Sequence, residues 1–181
     1  MMRVISGKLK GAKFETLKGR QTHPMGDRIK VALFNTISAE IGGARILDAY
    51  AGSGALGLEA LSRGGSFAQF IEKDARAFKI LASNVAGMEL DSNQVQVTRA
   101  NCASWVENNQ DQQFDIIFVD PPFDQLNLST IFKLSCLLSG EGLMVLSHSG
   151  REAVPIVNGV VVVDNRMYGD AALSYYRKAA E

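Results

Sequence analysis

The sequence has few of the residues that build disulfide frameworks or metal sites. Its 181 residues include two cysteines and two histidines, with no Cys-x-x-Cys pair and no cluster of the two residue types. Cys102 and Cys136 lie far apart in the sequence, which predicts neither a disulfide framework nor a zinc site. We therefore expect two free thiols in a reducing compartment and no bound metal.

Long hydrophobic runs are also missing. No segment approaches the roughly 18 apolar residues of a membrane span, and residues 1–8 contain no apolar core of signal-peptide length. These absences predict a cytoplasmic protein that has no membrane partner.

The sequence has no overall excess of positive or negative charge, because its 19 basic residues balance its 19 acidic ones. The distribution is uneven: residues 1–30 carry eight basic and two acidic side chains, a net charge of +6, and the remainder carries −6. Basic side chains bind nucleic acid by neutralising phosphates irrespective of base sequence. The N-terminal arm is therefore a candidate nucleic-acid-binding element, with an ordinary solvated surface as the alternative. The candidate contacts are Arg3, Lys8, Lys10, Lys13, Lys18, Arg20 and Arg28.

The hydrophobic pattern after residue 44 alternates between short apolar runs and helical stretches. This alternation predicts a doubly wound α/β fold, in which helices cover both faces of a mostly parallel sheet. Two final strands, 159–165 and 173–178, follow each other without a helix, which predicts an antiparallel C-terminal strand. The other predicted strands are 46–50, 67–72, 95–99, 115–119 and 143–147, and the predicted helices are 54–63, 75–88, 102–109 and 128–138.

The first 43 residues follow a different pattern. Alternating apolar residues and two glycines predict a short basic β-hairpin over residues 3–17. Asp27 is predicted to cap a helix that ends near Gly42 and Gly43. With 46% hydrophobic residues, the chain is long enough for one core. We expect an N-terminal extension over residues 1–43 and a larger domain over residues 44–181.

A glycine-rich segment, Gly52-x-Gly54-x-x-Gly57, follows the first strand of the alternating region. Glycines between a strand and a helix let backbone amides approach an anionic group. Glu72 ends the next strand, where a carboxylate can accept both hydroxyl groups of a bound ribose. Asp48 would suit a ligand ammonium group or serve as a buried structural acid. The candidate cofactor-binding residues are Asp48, Tyr50, Gly52, Ser53, Gly54, Glu72, Lys73, Asn101 and Cys102.

The glycine spacing does not identify the ligand. It satisfies the fingerprint of dinucleotide-binding proteins and is equally compatible with S-adenosylmethionine, and a turn required only for packing is a further interpretation. Asn101, after the third strand, could read an adenine edge or simply cap the helix that follows.

The segment Asp120-Pro121-Pro122-Phe123 ends the fourth strand of this region, and its four residues are the candidate catalytic residues. Open parallel sheets bind ligands outside the carboxyl ends of strands near a switch in strand order, so this segment should face the reactive end of a cofactor. Asp120 and the Pro121 carbonyl could accept the N–H groups of a planar amine, and Phe123 could stack on its ring. The alternative is a proline turn that only ends a buried strand, with Asp120 capping the next helix and Phe123 in the core.

Together these segments resemble the family of bacterial 16S ribosomal RNA guanine-N2 methyltransferases that modify guanine 966. The resemblance runs along nearly the whole chain. It rests on Arg3-Val4-Ile5-Ser6-Gly7, Asp27-Arg28-Ile29-Lys30, Ala32-Leu33-Phe34-Asn35, Leu47-Asp48-Ala49-Tyr50-Ala51-Gly52-Ser53-Gly54, Phe70-Ile71-Glu72-Lys73-Asp74 and Asp120-Pro121-Pro122-Phe123.

The resemblance implies a Rossmann-like class I methyltransferase fold. It implies that S-adenosylmethionine is held by Gly52, Gly54 and Glu72, and that the Asp-Pro-Pro-Phe turn is catalytic through Asp120, Pro121 and Phe123. It further implies that the basic arm contacts 16S rRNA, that the substrate is an assembling 30S subunit, and that the protein is a monomer.

The predicted activity is methylation of the exocyclic N2 amine of one guanine in 16S rRNA. A methyltransferase for another planar amine, DNA adenine N6 or a small molecule, is the nearest alternative. The glycine motif alone also allows a nicotinamide-dependent oxidoreductase, although no substrate domain is evident. A non-catalytic RNA-binding protein of the same fold is the third alternative, and an assay is needed to exclude it.

Overall fold

The computed structural model describes residues 1–17 and 25–179. Its strands are β1 (Met2–Arg3), β2 (Lys13–Phe14), β3 (Arg45–Asp48), β4 (Phe67–Glu72), β5 (Val95–Arg99), β6 (Phe114–Val119), β7 (Leu138–Ser149), β8 (Val160–Tyr168) and β9 (Ala171–Lys178). Its α-helices are α1 (Asp27–Thr36), α2 (Ala55–Ser62), α3 (Ala75–Ala86), α4 (Cys102–Glu107) and α5 (Leu128–Cys136), with short 3-10 helices at Ser38–Glu40 and Phe123–Gln125.

Seven strands form one sheet in the order β5-β4-β3-β6-β7-β9-β8. The pairs from β5 to β7 are all parallel, whereas β9 runs antiparallel to both β7 and β8. The predicted doubly wound fold with an antiparallel C-terminal strand is therefore confirmed. The predicted N-terminal hairpin is present in a minimal form, because β1 and β2 pair antiparallel over two residues each.

Two predictions about α1 are wrong. The helix begins at Asp27, but its N-cap is Gly26, whose extended backbone leaves Asp27 as the first helical residue with no capping bond. The Asp27 carboxylate instead lies 3.5 Å from the Lys30 ammonium. The helix also ends at Thr36 rather than near Gly42, and the chain continues through the 3-10 helix Ser38–Glu40.

Helices cover both faces of the sheet, so the protein has three layers. Alternate residues of the central strands point to opposite faces, as their pleating requires. Ile46 and Phe118 join one hydrophobic cluster with residues of α1, α2 and α3, and Leu47 and Ile117 join a second cluster with residues of α4 and α5. Each face of the sheet therefore has its own core.

The N-terminal segment is bonded to the body of the protein. The fully buried carboxylate of Glu59 in α2 accepts the backbone N–H groups of Ile5 and Ser6 at 2.7 and 3.0 Å. Val4 and Phe14 are buried in the same cluster as the sheet residues on that face. The N-terminal segment therefore shares a hydrophobic core with the sheet, and this packing fixes its backbone on the body of the protein.

The strand order reverses at β3, because β4 and β5 lie on one side of it and β6 and β7 on the other. Such a switch opens a crevice at the carboxyl ends of the two central strands. Within the described parts of the chain, no helix is long and apolar enough to cross a membrane.

Candidate active site

Three loops meet at the crevice, one from the end of each of β3, β4 and β6. They carry the glycine turn after Asp48, the carboxylate of Glu72, and the Asp120 turn. Because β3 pairs in parallel with both β4 and β6, all three loops leave the same edge of the sheet. The fold thus brings together the predicted cofactor-binding and catalytic segments.

The three glycines of the turn have different structural roles. Gly52 has a φ of +54°, and a Cβ built on it would meet no atom within 4 Å, so it borders open space. Gly54 has a φ of +87°, and a Cβ there would lie 2.6 Å from Leu81. A Cβ on Gly57 would lie 2.3 Å from the Phe70 ring. Packing therefore explains why residue 57 is a glycine, and packing together with the positive φ explains the glycine at residue 54. At Gly52 the missing side chain leaves the backbone accessible.

Asp48 is a buried acid with a structural bond. The residue is only 2% exposed, and its Oδ2 accepts the backbone N–H of Gly57 at 3.0 Å, a bond that closes the turn. Burial raises the pKa of Asp48 to about 7; the Gly57 bond opposes this shift, and the nearby carboxylates of Asp120 and Glu72 add to it. Near neutral pH this group is poised between its charged and neutral forms.

Glu72 ties the glycine turn to the end of β4. One carboxylate oxygen accepts the Gly52 N–H at 2.8 Å and the other accepts the Asp74 N–H at 2.7 Å. A carboxylate oxygen has a second lone pair, so both oxygens can still accept a ribose hydroxyl. Lys73 donates to the side chain of Gln125 at 2.7 Å, which links the loop after β4 to the loop after β6.

The Asp120 turn presents an acceptor and an aromatic ring. Burial raises the pKa of Asp120 to about 6, and a hydrogen bond from Ser147 opposes that shift. Phe123 is 46% exposed, so the alternative that places it in the core is wrong. The Pro122 carbonyl accepts the Gln125 N–H at 2.8 Å, whereas no donor within the described residues bonds the Pro121 carbonyl. Of the two carbonyls, that of Pro121 therefore keeps its acceptor capacity unused among the described residues.

The other candidates lie around the start of α4. Asn101 caps this helix by accepting the Ala103 N–H at 2.9 Å. This cap is one of the two interpretations of Asn101 that the sequence allows, the other being contact with an adenine edge. Cys102 is buried, and burial raises the pKa of its thiol to about 12 while the neighbouring Tyr50 opposes this shift, so the thiol stays protonated at neutral pH. Ser53 contributes its carbonyl to a bond from Asn84, 2.9 Å away.

Two residues that lie at this site, Asn84 and Ser147, were not identified from the sequence. Asn84 of α3 also exchanges two 2.9 Å bonds with the backbone of Glu15, so it joins the N-terminal segment to the glycine turn. Ser147 near the end of β7 lies beside the catalytic candidate Asp120, because the residues before them, Leu146 and Val119, are paired in the sheet. Neither residue belongs to a motif, and only contacts between distant segments identify them.

The basic candidates occupy different parts of the surface. Arg3 and Lys13 are exposed cross-strand neighbours, and Arg28 is exposed in the first turn of α1. Lys8 and Lys10 lie beside the ends of α2 and α3, where the Lys8 N–H donates to Ser62 at 2.7 Å. Both helices start at the crevice edge and end at the opposite edge, so this pair lies away from the catalytic turn. Lys18 and Arg20 fall outside the described residues.

Comparison with known proteins agrees with this arrangement. The YlbH protein of Bacillus subtilis strain 168 is 34% identical over 182 residues, covering 98% of this chain and 99% of its own. Ribosomal RNA small subunit methyltransferase D of Escherichia coli K12 is 31% identical over 99% of this chain and 91% of its own. A solved structure of the yhhF protein of Escherichia coli has a TM-score of 0.87 at 32% identity and covers 99% of both chains.

The family described as conserved hypothetical protein 95 matches residues 2–177, nearly the whole of this sequence. The matched range therefore includes both the glycine turn and the Asp-Pro-Pro-Phe turn of this chain, so the likeness is not confined to isolated motifs. The chain belongs to the conserved hypothetical protein 95 family, the family of ribosomal RNA small subunit methyltransferase D.

Proposed function

We propose that this protein transfers the methyl group of S-adenosylmethionine to the exocyclic N2 amine of a guanine in 16S rRNA. The observation that carries the proposal is the Asp120 turn, which offers beside the glycine turn a carboxylate, an exposed phenyl ring and a carbonyl that no donor of the described residues bonds. Membership in a family of rRNA methyltransferases supports the reaction class. The choice of guanine N2 rests on the chemistry of the turn and on the resemblance of its motifs.

The residues of the crevice fit S-adenosylmethionine. Gly52 borders open space where a ligand can approach the backbone, and Glu72 is held by two backbone amides in a position to accept ribose hydroxyls. The carboxylates of Asp48, Glu72 and Asp120 give this region a negative charge that suits a cationic ligand. When bound, S-adenosylmethionine supplies an electrophilic methyl group on a positively charged sulfur.

Asp120 and Pro121 hold the target amine. The lone pair of an exocyclic amine is delocalised into its ring, and hydrogen bonds from its N–H groups to the Asp120 carboxylate and the Pro121 carbonyl increase its availability. These acceptors also stabilise the positive charge that develops on nitrogen. With a pKa of about 6, Asp120 is mostly ionised at pH 7 and able to accept. Phe123 stacks on the base and fixes its plane, and positioning of this kind supplies much of the rate.

RNA binding is assigned to the N-terminal extension, residues 1–43, next to the methyltransferase domain of residues 44–181. Arg3, Lys13 and Arg28 present exposed charges that neutralise phosphates, and the Glu59 anchor keeps the segment fixed to the body. A guanine in a duplex must leave its stack to reach Phe123. The proposed substrate is 16S rRNA in an assembling 30S subunit, and the proposed acting form is a monomer.

The test measures transfer of labelled methyl groups from S-adenosylmethionine to unmodified 30S subunits and to naked 16S rRNA, followed by nucleoside analysis. Asp120→Asn keeps the shape of the side chain but removes its charge, and should lower the rate roughly 100-fold or more. Asp115→Asn, at the other end of β6, is the matched control because Asp115 bonds Arg45 and Ser139 there, away from the crevice.

Formation of N2-methylguanosine by the wild type and the control, but not by Asp120→Asn, would support the proposal. Cofactor binding without methylation of any RNA base would overturn it, and the same assay on DNA and on small planar amines would then test the nearest alternative.

A further inference from the structure

Ser147 lies beside the catalytic turn although it belongs to no motif. It sits near the end of β7, which pairs in parallel with β6, and the register aligns Leu146 with Val119. The next residues on the two strands are Ser147 and Asp120, so these side chains leave the sheet at neighbouring positions. Ser147 is only 6% exposed.

The Ser147 hydroxyl opposes the effect of burial on the pKa of the Asp120 carboxyl, as a donor within reach of that group does. A carboxylate that accepts from one fixed donor has one oxygen occupied and the other free to accept a different N–H group. The neighbouring His148 does not compete for this contact, because its ring bonds the Ser149 carbonyl at 2.9 Å and the Ser174 hydroxyl at 2.8 Å. The Ser147 hydroxyl is therefore placed to donate to Asp120 within the crevice.

We propose that Ser147 is a positioning residue for amine methylation, whose hydroxyl donates a hydrogen bond to one oxygen of the Asp120 carboxylate and so orients the other oxygen to accept the target N–H. This inference rests on the proposed function. Ser147 itself does not touch the amine or the methyl group. Its role is to hold the acceptor before the substrate arrives.

The surrounding charges make this donor important. Asp48 at the end of β3 interacts electrostatically with both Asp120 and Glu72, so three carboxylates share the crevice. Burial raises the pKa of Asp120, and the Ser147 hydrogen bond opposes that effect. Without the hydroxyl, the protonated form of Asp120 becomes more favourable and a larger fraction of the enzyme loses its acceptor near neutral pH.

The same two strands provide a matched control. At their opposite end, the Ser139 hydroxyl donates to the Asp115 carboxylate at 2.8 Å. Ser139→Ala therefore removes an equivalent serine–aspartate bond between β6 and β7 that lies away from the crevice. Ser147→Thr keeps the hydroxyl, and thermal unfolding of every variant checks that the fold is retained.

The experiment measures single-turnover methylation of 30S subunits as a function of pH. Ser147→Ala should lower the rate at pH 7 roughly tenfold, the magnitude expected for one hydrogen bond to a charged group, with an unchanged KM for RNA. Its acidic limb should move to higher pH, so that activity recovers in part above pH 8. Ser147→Thr and Ser139→Ala should keep the wild-type profile.

A carbon-13 NMR titration of the Asp120 carboxyl, assigned with Asp120→Asn, tests the same contact without RNA. Ser147→Ala should raise the apparent pKa of Asp120. An equal loss of rate in Ser147→Ala and Ser139→Ala, or an unchanged pH profile and titration in Ser147→Ala, would overturn the inference. If the wild type methylates no guanine while the titration shifts as expected, the proposed function fails and the Ser147 contact stands.

Discussion

Asp48→Asn should make the cofactor-free protein more stable at alkaline pH. Burial raises the pKa of Asp48 from 3.8 to about 7 in the folded protein, so folding favours the protonated acid. This favourable contribution is fully present below pH 4 and is lost as the pH rises from 4 to 7. At pH 8.5 the folded protein must hold a buried carboxylate. Roughly three pKa units at about 1.4 kcal/mol each correspond to a cost of about 4 kcal/mol.

Asparagine removes this cost and keeps most of the local geometry. Its carbonyl oxygen can still accept the Gly57 N–H that Asp48 accepts at 3.0 Å. A neutral acceptor forms a weaker bond than a carboxylate by about 1 kcal/mol. The expected gain in the free energy of unfolding is therefore about 2 to 3 kcal/mol at pH 8.5, with no gain near pH 4.

Urea denaturation at pH 4.5 and pH 8.5, without cofactor, measures this difference. Asp115→Asn is the control, because Asp115 also accepts a backbone N–H, that of Arg45 at 2.9 Å, but is only half-buried. The control should not show the gain at pH 8.5. An Asp48→Asn protein that is destabilised equally at both pH values would refute the reasoning, because the native carboxylate would then carry no desolvation cost.

Three further changes test other parts of the molecule. Phe123→Ala should lower kcat/KM for RNA roughly 10- to 100-fold through lost stacking of about 1 to 3 kcal/mol. Calorimetry should find cofactor binding unchanged, and weaker binding would place Phe123 in the cofactor site instead. Gly57→Ala brings a Cβ to 2.3 Å from the Phe70 ring and should destabilise the fold by about 1 to 3 kcal/mol in urea denaturation; an unchanged midpoint would contradict this packing. Glu59→Ala leaves two N-terminal amides without their acceptor, so limited proteolysis should cleave near Ile5 faster than in the wild type, and equal rates would show that other contacts anchor the segment.

Local sequence patterns predicted the fold and the positions of the main motifs. Alternating strands and helices dictated the doubly wound sheet, and β4 and β5 have the predicted bounds. The glycine turn and the Asp120 turn follow the ends of β3 and β6, and parallel strands bring such ends to one edge. The predictions that were wrong concern local features. At α1, for example, the N-cap is Gly26, one residue before the predicted Asp27.

Contacts between distant segments decided the rest. Which elements form, and which motifs end them, follows from the local sequence, because these features depend on periodicity, glycine conformation and proline stiffness over a few residues. Folding in three dimensions places Ser147 beside Asp120, anchors the N-terminal segment on Glu59, and puts Lys8 and Lys10 away from the catalytic turn. Strand register, helix direction and burial produce these contacts, and they also raise the pKa of Asp48 and of Asp120, since desolvation depends on every element packed around a group.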